Sequence, residues 1–179
     1  MRGGGTATGG ERRAQLVADG TLLDRSMADC LAEGEFRVAV SLDGDRGAYD
    51  ANRRFRNGRS SFAASVRGIR LLQEHAPDLW LRVFSTIDPA NVDRLPESFD
   101  ALVDLGLWDL ALNVNLHAPW PEEARQRYLV ALRALGDRYI DSFRRGPGVA
   151  LNLFDSKIVT HLTGRTFGRE RCNFGCLEV

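Results

Sequence analysis

A chain of 179 residues with 44 % hydrophobic side chains can bury one substantial core and is too apolar to be disordered. Its 24 basic and 24 acidic residues cancel, so the long-range field that nucleic acid or an anionic membrane surface exploits is missing. No apolar run approaches the roughly 20 residues that cross a bilayer, MRGGGTATGGERR lacks the apolar stretch of a secretory signal, and 3 cysteines are too few and odd in number for a disulfide framework. The expectation is a cytoplasmic globular domain.

Residues 1–13, with their glycines and arginines, read as a flexible tail. Ala14 to Val17 is a short apolar run stopped by the turn pair Asp19-Gly20. Thr21 is placed to cap a helix through Leu31 that ends at Gly34, with Cys30 as a small buried hydrophobe on it. Phe36 to Leu42 has the β-branched and aromatic residues of a strand, Arg46 to Arg59 reads as an arginine-rich loop, and Ser60 or Ser61 opens a helix carrying Phe62, Val66, Ile69 and Leu72 on one side.

The alternation then repeats. Leu79 to Ile87 is a strand, Pro96 to Leu105 a helix, Trp108 to Val114 a strand, and Pro121 to about Phe143 a helix with carboxylates at its positive end. Val149 to Phe154 is a further strand candidate. Strand and helix at this rhythm predict an α/β fold built on a parallel sheet, with chemistry at the carboxyl ends of its strands. Those ends are Asp19-Gly20, Ser41 to Gly44, Ser85-Thr86 and Asn113 to Asn115. His75, His117 and His161 lack partners at metal-ligand spacing, and no nucleophile–base set or phosphate loop is evident.

The most informative stretch runs from residue 41 to residue 72: a strand-end hydroxyl, a tight turn, a cationic loop and a helix start. Arginines there can pair with a carboxylate while the hydroxyl and backbone amides donate hydrogen bonds. In order and spacing, ADGTLLD (18–24), VAVSLDG (38–44), YDANRRFRNGRSSF (49–62) and GIRLL (68–72) resemble radical S-adenosylmethionine enzymes. The closer similarity is to the branch with a SPASM extension, which includes anaerobic sulfatase maturases and peptide maturases. The pattern of that branch reads TNGTLL, SLDG, HDxxR, GxGSF and GI, and this chain departs from it at Ala18-Asp19, Tyr49 and Ser60.

The resemblance implies a partial parallel (β/α) barrel over residues 14–160, incomplete on its N-terminal side. It also implies S-adenosylmethionine binding through Ser41, Asp43 and Arg53, with Ser41 toward the ribose and Arg53 toward the carboxylate. Residues 161–179 resemble the start of a SPASM module, in which Cys172 and Cys176 would hold an auxiliary iron–sulfur cluster. The reaction implied is reductive cleavage of S-adenosylmethionine at a [4Fe-4S] cluster, then hydrogen abstraction from a peptide or protein side chain. An electron donor would supply the reductant.

The C-x3-C-x2-C motif that holds this cluster in the family has no counterpart here: Cys30 stands alone before Cys172. Gly9-Gly10-Glu11 repeats the letters of the family's GGE triplet, but it lies too close to Asp19-Gly20 to hold the intervening helix and strand. Two readings follow: part of a radical enzyme that acts on a peptide, or a non-catalytic peptide- or partner-binding module that has lost its cluster.

Overall fold

The structure, a computed structural model, describes residues 14–34 and 36–164. Five strands, β1 (Gln15–Ala18), β2 (Arg37–Ser41), β3 (Trp80–Ile87), β4 (Asp109–Val114) and β5 (Ala150–Leu151), form one sheet. Every neighbouring pair is parallel and the spatial order is β1-β2-β3-β4-β5, the order of the sequence. A sheet that winds always in one direction is the barrel pattern; a doubly wound sheet would reverse its order at a switch point.

Helices α1 (Arg25–Glu33), α2 (Arg46–Asn52), α3 (Phe62–His75), α4 (Leu95–Asp104), α5 (Glu122–Arg145) and α6 (Asn152–Thr163) fill the crossovers. Pleating sends alternate strand residues to opposite faces. Val38, Val40, Val83, Ile87, Leu110 and Leu112 share one face and are buried in the core with Ile69, Leu72, Leu102 and Leu135 from the helices. The opposite, concave face carries Arg37, Ala39 and Ser41 from β2, Trp80, Arg82, Phe84 and Thr86 from β3, and Asp109, Ala111 and Asn113 from β4, in paired register. One face of the sheet is thus a conventional hydrophobic layer, and the other is a mixed, polar trough.

Four local expectations need correction. The cap of α1 is Asp24, whose carboxylate accepts from Met27 N at 2.9 Å, while Thr21 is turned back onto Asp19. Cys30 is exposed, because Ala28 and Leu31 are the residues of α1 that turn to the core. The first half of the arginine-rich loop is helical: Asp45 accepts from Ala48 N at 2.8 Å and so caps α2. The last strand stops after two residues, since Asp155 accepts from Leu151 N at 2.6 Å and α6 starts at once. That helix runs to Thr163.

Among the described residues nothing pairs with the outer edge of β1. Gln15, Leu16 and Val17 of β1 are exposed, as are Leu22 in the turn that follows and Met27 on α1. This is the uncovered edge and apolar face that an incomplete barrel implies.

Candidate functional site at the carboxyl ends of the strands

Ser41 is the last residue of β2, and the chain turns immediately beyond it. Leu42 N donates to Phe84 O at 3.0 Å, which continues the ladder by one residue and presents Asp43 to the end of β3. There the Asp43 carboxylate, with none of its side chain exposed, accepts three hydrogen bonds. Thr86 N donates at 2.8 Å, Arg53 Nε at 2.8 Å and Arg53 Nη2 at 3.1 Å. A carboxylate met by a planar guanidinium in this two-point fashion is both charge-neutralised and fixed in direction.

Arg53 is delivered by α2. Tyr49, buried on that helix, shares hydrogen bonds with Ser61 Oγ at 3.0 Å and Ser65 Oγ at 2.8 Å on the first turn of α3. It also stacks edge-on against Phe62. With Tyr49 anchored, the end of α2 is anchored, and Arg53 N donates to Tyr49 O at 2.8 Å. Tyr49 stands where the pattern that residues 49–53 resemble has histidine, and its hydroxyl is spent on these two serines. Ser60, which replaces a motif glycine, donates to Asp50 at 2.5 Å and closes the loop onto α2. Arg54 ties the same loop through Asp50 O and Gly58 O, while Arg56 and Arg59 are exposed.

Two motif glycines explain themselves by contact. A Cβ on Gly68 of α3 would stand 2.1 Å from the carbonyl oxygen of Gly20, and Gly20 itself has φ +77°. The backbone of α3 therefore rides directly on the turn after β1. At the next strand end, Gly44 (φ +118°) packs against Ser98 of α4 with no room for a side chain.

The structure brings Ser41, Asp43 and Arg53 together at one strand end, but with different availabilities. Both oxygens of Asp43 are occupied by the protein, so this residue braces the site from within. Arg53 spends only its Nε and one Nη2 hydrogen on Asp43; its side chain is 28 % exposed, and the Nη1 edge makes no hydrogen bond among the described residues. Ser41 Oγ likewise has no side-chain hydrogen bond there. The residues flanking them along the rim are Thr86 and Asn113, with Asn152 donating to Asn113 Oδ1 at 3.1 Å and accepting from Leu112 N at 2.8 Å. Asn152 was not singled out from the sequence; it lies in a stretch that reads as strand interior, and its role follows from the early start of α6.

Cys172 and Cys176 lie outside the described residues, as does Gly9-Gly10-Glu11. Among the described residues no group of three or more His, Cys, Asp or Glu side chains could hold a metal ion. No helix among them is long and apolar enough to cross a membrane.

A parallel sheet wound in one direction, with a braced polar rim at its carboxyl ends, defines a partial α/β barrel with its site at the strand tips. No protein-family model matches the chain. Among curated proteins it is 42 % identical over 91 residues to the Fe-coproporphyrin III synthase of Methanosarcina barkeri, covering 50 % of this chain and 22 % of that protein. It is 26 % identical over 160 residues to a cysteine-type anaerobic sulfatase-maturating enzyme of Clostridium perfringens, covering 84 % and 42 %. The serine-type enzyme of Klebsiella aerogenes matches at 32 % over 91 residues. The solved structure of native anSMEcpe with bound AdoMet and Cp18Cys peptide superposes with a TM-score of 0.75 at 19 % identity, over 87 % of this chain and 45 % of that one. The resemblance to radical S-adenosylmethionine enzymes of the sulfatase-maturating kind therefore holds both in sequence and in backbone fold. The chain spans less than half the length of these relatives.

Proposed function

We propose that this chain forms the S-adenosylmethionine- and substrate-facing part of a radical S-adenosylmethionine enzyme that modifies a peptide or protein side chain. The observation that carries the reading is the state of Arg53: held by a buried carboxylate, yet with its Nη1 edge unspent among the described residues, at the strand end that also carries Ser41. A guanidinium fixed in this way offers two parallel N–H groups to the carboxylate of the cofactor's methionyl part, and Ser41 Oγ can exchange a hydrogen bond with a ribose hydroxyl. Asp43 acts by positioning Arg53. Among the relatives, anSMEcpe is solved with bound AdoMet and peptide, which supports the cofactor and a peptide as the class of substrate.

When bound, S-adenosylmethionine supplies the reductive cleavage chemistry that ends in hydrogen abstraction from the substrate. The radical-initiating [4Fe-4S] cluster is a different case. It requires three soft thiolates at C-x3-C-x2-C spacing, and this chain holds only Cys30, Cys172 and Cys176. Its own residues do not fit that cluster, and no step is derived through it. The assignment of Cys172 and Cys176 to an auxiliary cluster rests on the likeness of residues 171–179 to the start of a SPASM module.

The second reading is a peptide- or partner-binding module without catalysis. Titration of the chain with S-adenosylmethionine, followed by calorimetry, separates the two. The first reading expects saturable binding that Arg53→Lys weakens about tenfold or more, because a point ammonium loses the forked geometry. Equal affinity in Arg53→Lys and the parent, or no binding, would overturn it in favour of the module.

A further inference from the structure

At the opposite, N-terminal end of the trough lies a cluster that the cofactor reading does not use. Trp80 sits between two guanidinium groups: Arg82 Cζ is 4.7 Å and Arg37 Cζ 5.2 Å from its ring centroid. Register places Arg37 opposite Trp80, and the alternation places Arg82 on the same face, so all three front the concave side. Arg82 donates through Nε to the buried Asp109 at 2.8 Å and makes no other hydrogen bond among the described residues. Arg37 has no carboxylate partner among the described residues, and its guanidinium lies over the indole ring.

Two cations thus stand with one carboxylate on this face, and both arginines keep unspent guanidinium N–H groups among the described residues; the next residues along the face are Ala39, paired with Arg82, and then the rung of Ser41, Phe84 and Ala111. An isolated structural ion pair would need Arg82 and Asp109 only. The surplus guanidinium of Arg37, exposed and lying over an aromatic ring, has the planar forked geometry that suits a carboxylate.

We infer that this end of the trough binds an Asp or Glu side chain of the peptide substrate, an inference that rests on the peptide-modifying reading above. Arg37 and Ser41 are four residues apart on β2, about 13 Å at the strand rise, which is the span of about four residues of an extended peptide. A peptide lying lengthwise in the trough would then carry its acidic residue about four positions from the residue at the Ser41 end.

The probe is the blocked heptapeptide Ac-Ala-Glu-Ala-Ala-Ala-Ser-Ala-NH2 against its Gln counterpart, titrated into the full chain. The signal is the Trp80 indole N–H in a nitrogen–proton correlation spectrum, assigned with Trp80→Phe. The Glu peptide should shift this resonance saturably and bind roughly tenfold or more tightly than the Gln peptide, and Arg37→Gln should erase that preference. Arg37 is exposed, so Arg37→Gln is expected to keep the fold, which its own spectrum checks. No saturable shift, equal binding of the two peptides, or a preference that survives Arg37→Gln would overturn the inference. S-adenosylmethionine is read separately at Arg53. A chain that binds it but ignores the Glu peptide loses this inference alone, and a chain that prefers the Glu peptide but does not bind S-adenosylmethionine loses the cofactor reading alone.

Discussion

Removing either partner of the Asp43–Arg53 pair should destabilise the protein, but by unequal amounts. Asp43 has no exposed side-chain surface, whereas Arg53 is 28 % exposed. Arg53→Ala would leave a fully desolvated carboxylate with Thr86 N as its one remaining donor, and an uncompensated buried charge costs about 3–5 kcal/mol. Asp43→Ala would leave a guanidinium that can swing to water and one unpaired backbone N–H, a loss of about 1–3 kcal/mol. The double variant removes the stranded charge as well, so it should be more stable than Arg53→Ala alone. Against a typical domain stability of about 5–15 kcal/mol, these differences are large enough to resolve. Urea unfolding of the four proteins, extrapolated linearly and compared at equal slope, closes the cycle. An Asp43→Ala cost equal to or above that of Arg53→Ala, or additivity within about 0.5 kcal/mol, would refute the claim that Asp43 is the buried brace and Arg53 the accessible member.

Two further outcomes can be checked on the same material. Gly68→Ala should destabilise by about 1–3 kcal/mol despite the better helix propensity of alanine, because its Cβ would meet Gly20 O at 2.1 Å; Gly136→Ala in α5, where the nearest atom would be Phe154 Cζ at 3.8 Å, should be neutral or stabilising by up to about 1 kcal/mol. Thermal midpoints of opposite sign test the pair, and a Gly68→Ala protein as stable as the parent would refute the contact. Burial, aided by the hydrogen bond to Asp155, pushes the Tyr139 phenol up to about 12 from its ordinary value near 10. A raised folded-state value means its contribution is fully present below pH 10 and lost as pH climbs toward about 12. Tyr139→Phe should therefore flatten the alkaline fall in stability over that window, and an unchanged profile would contradict the assignment.

Much of this molecule is readable from local chemistry. Strands β2, β3 and β4 are runs of β-branched and aromatic residues bounded by turns, and α3, α4 and α5 have apolar residues at helical spacing, so both period and punctuation agree. Ser41, Asp43 and Arg53 stand out only through the resemblance of residues 18–72 to a family pattern. Short elements were less legible: α2 has seven residues and too few turns for a period, and only the capping carboxylate of Asp45 marks it.

Tertiary structure alone decided the rest, since it depends on pairing between residues far apart in the chain. Alternating strands and helices are compatible with a doubly wound sheet as well as a barrel; the order β1-β2-β3-β4-β5, with every crossover in one direction, selects the barrel. Asp43 divides from Arg53 in role only because Thr86, 43 residues downstream, donates into the same carboxylate. Cys30 reads as a core residue from its type, yet the rotation of α1 against the sheet turns Ala28 and Leu31 inward in its place. The stacked arginines around Trp80 come from two strands 43 positions apart, matched by register, and no sequence period encodes a register between strands.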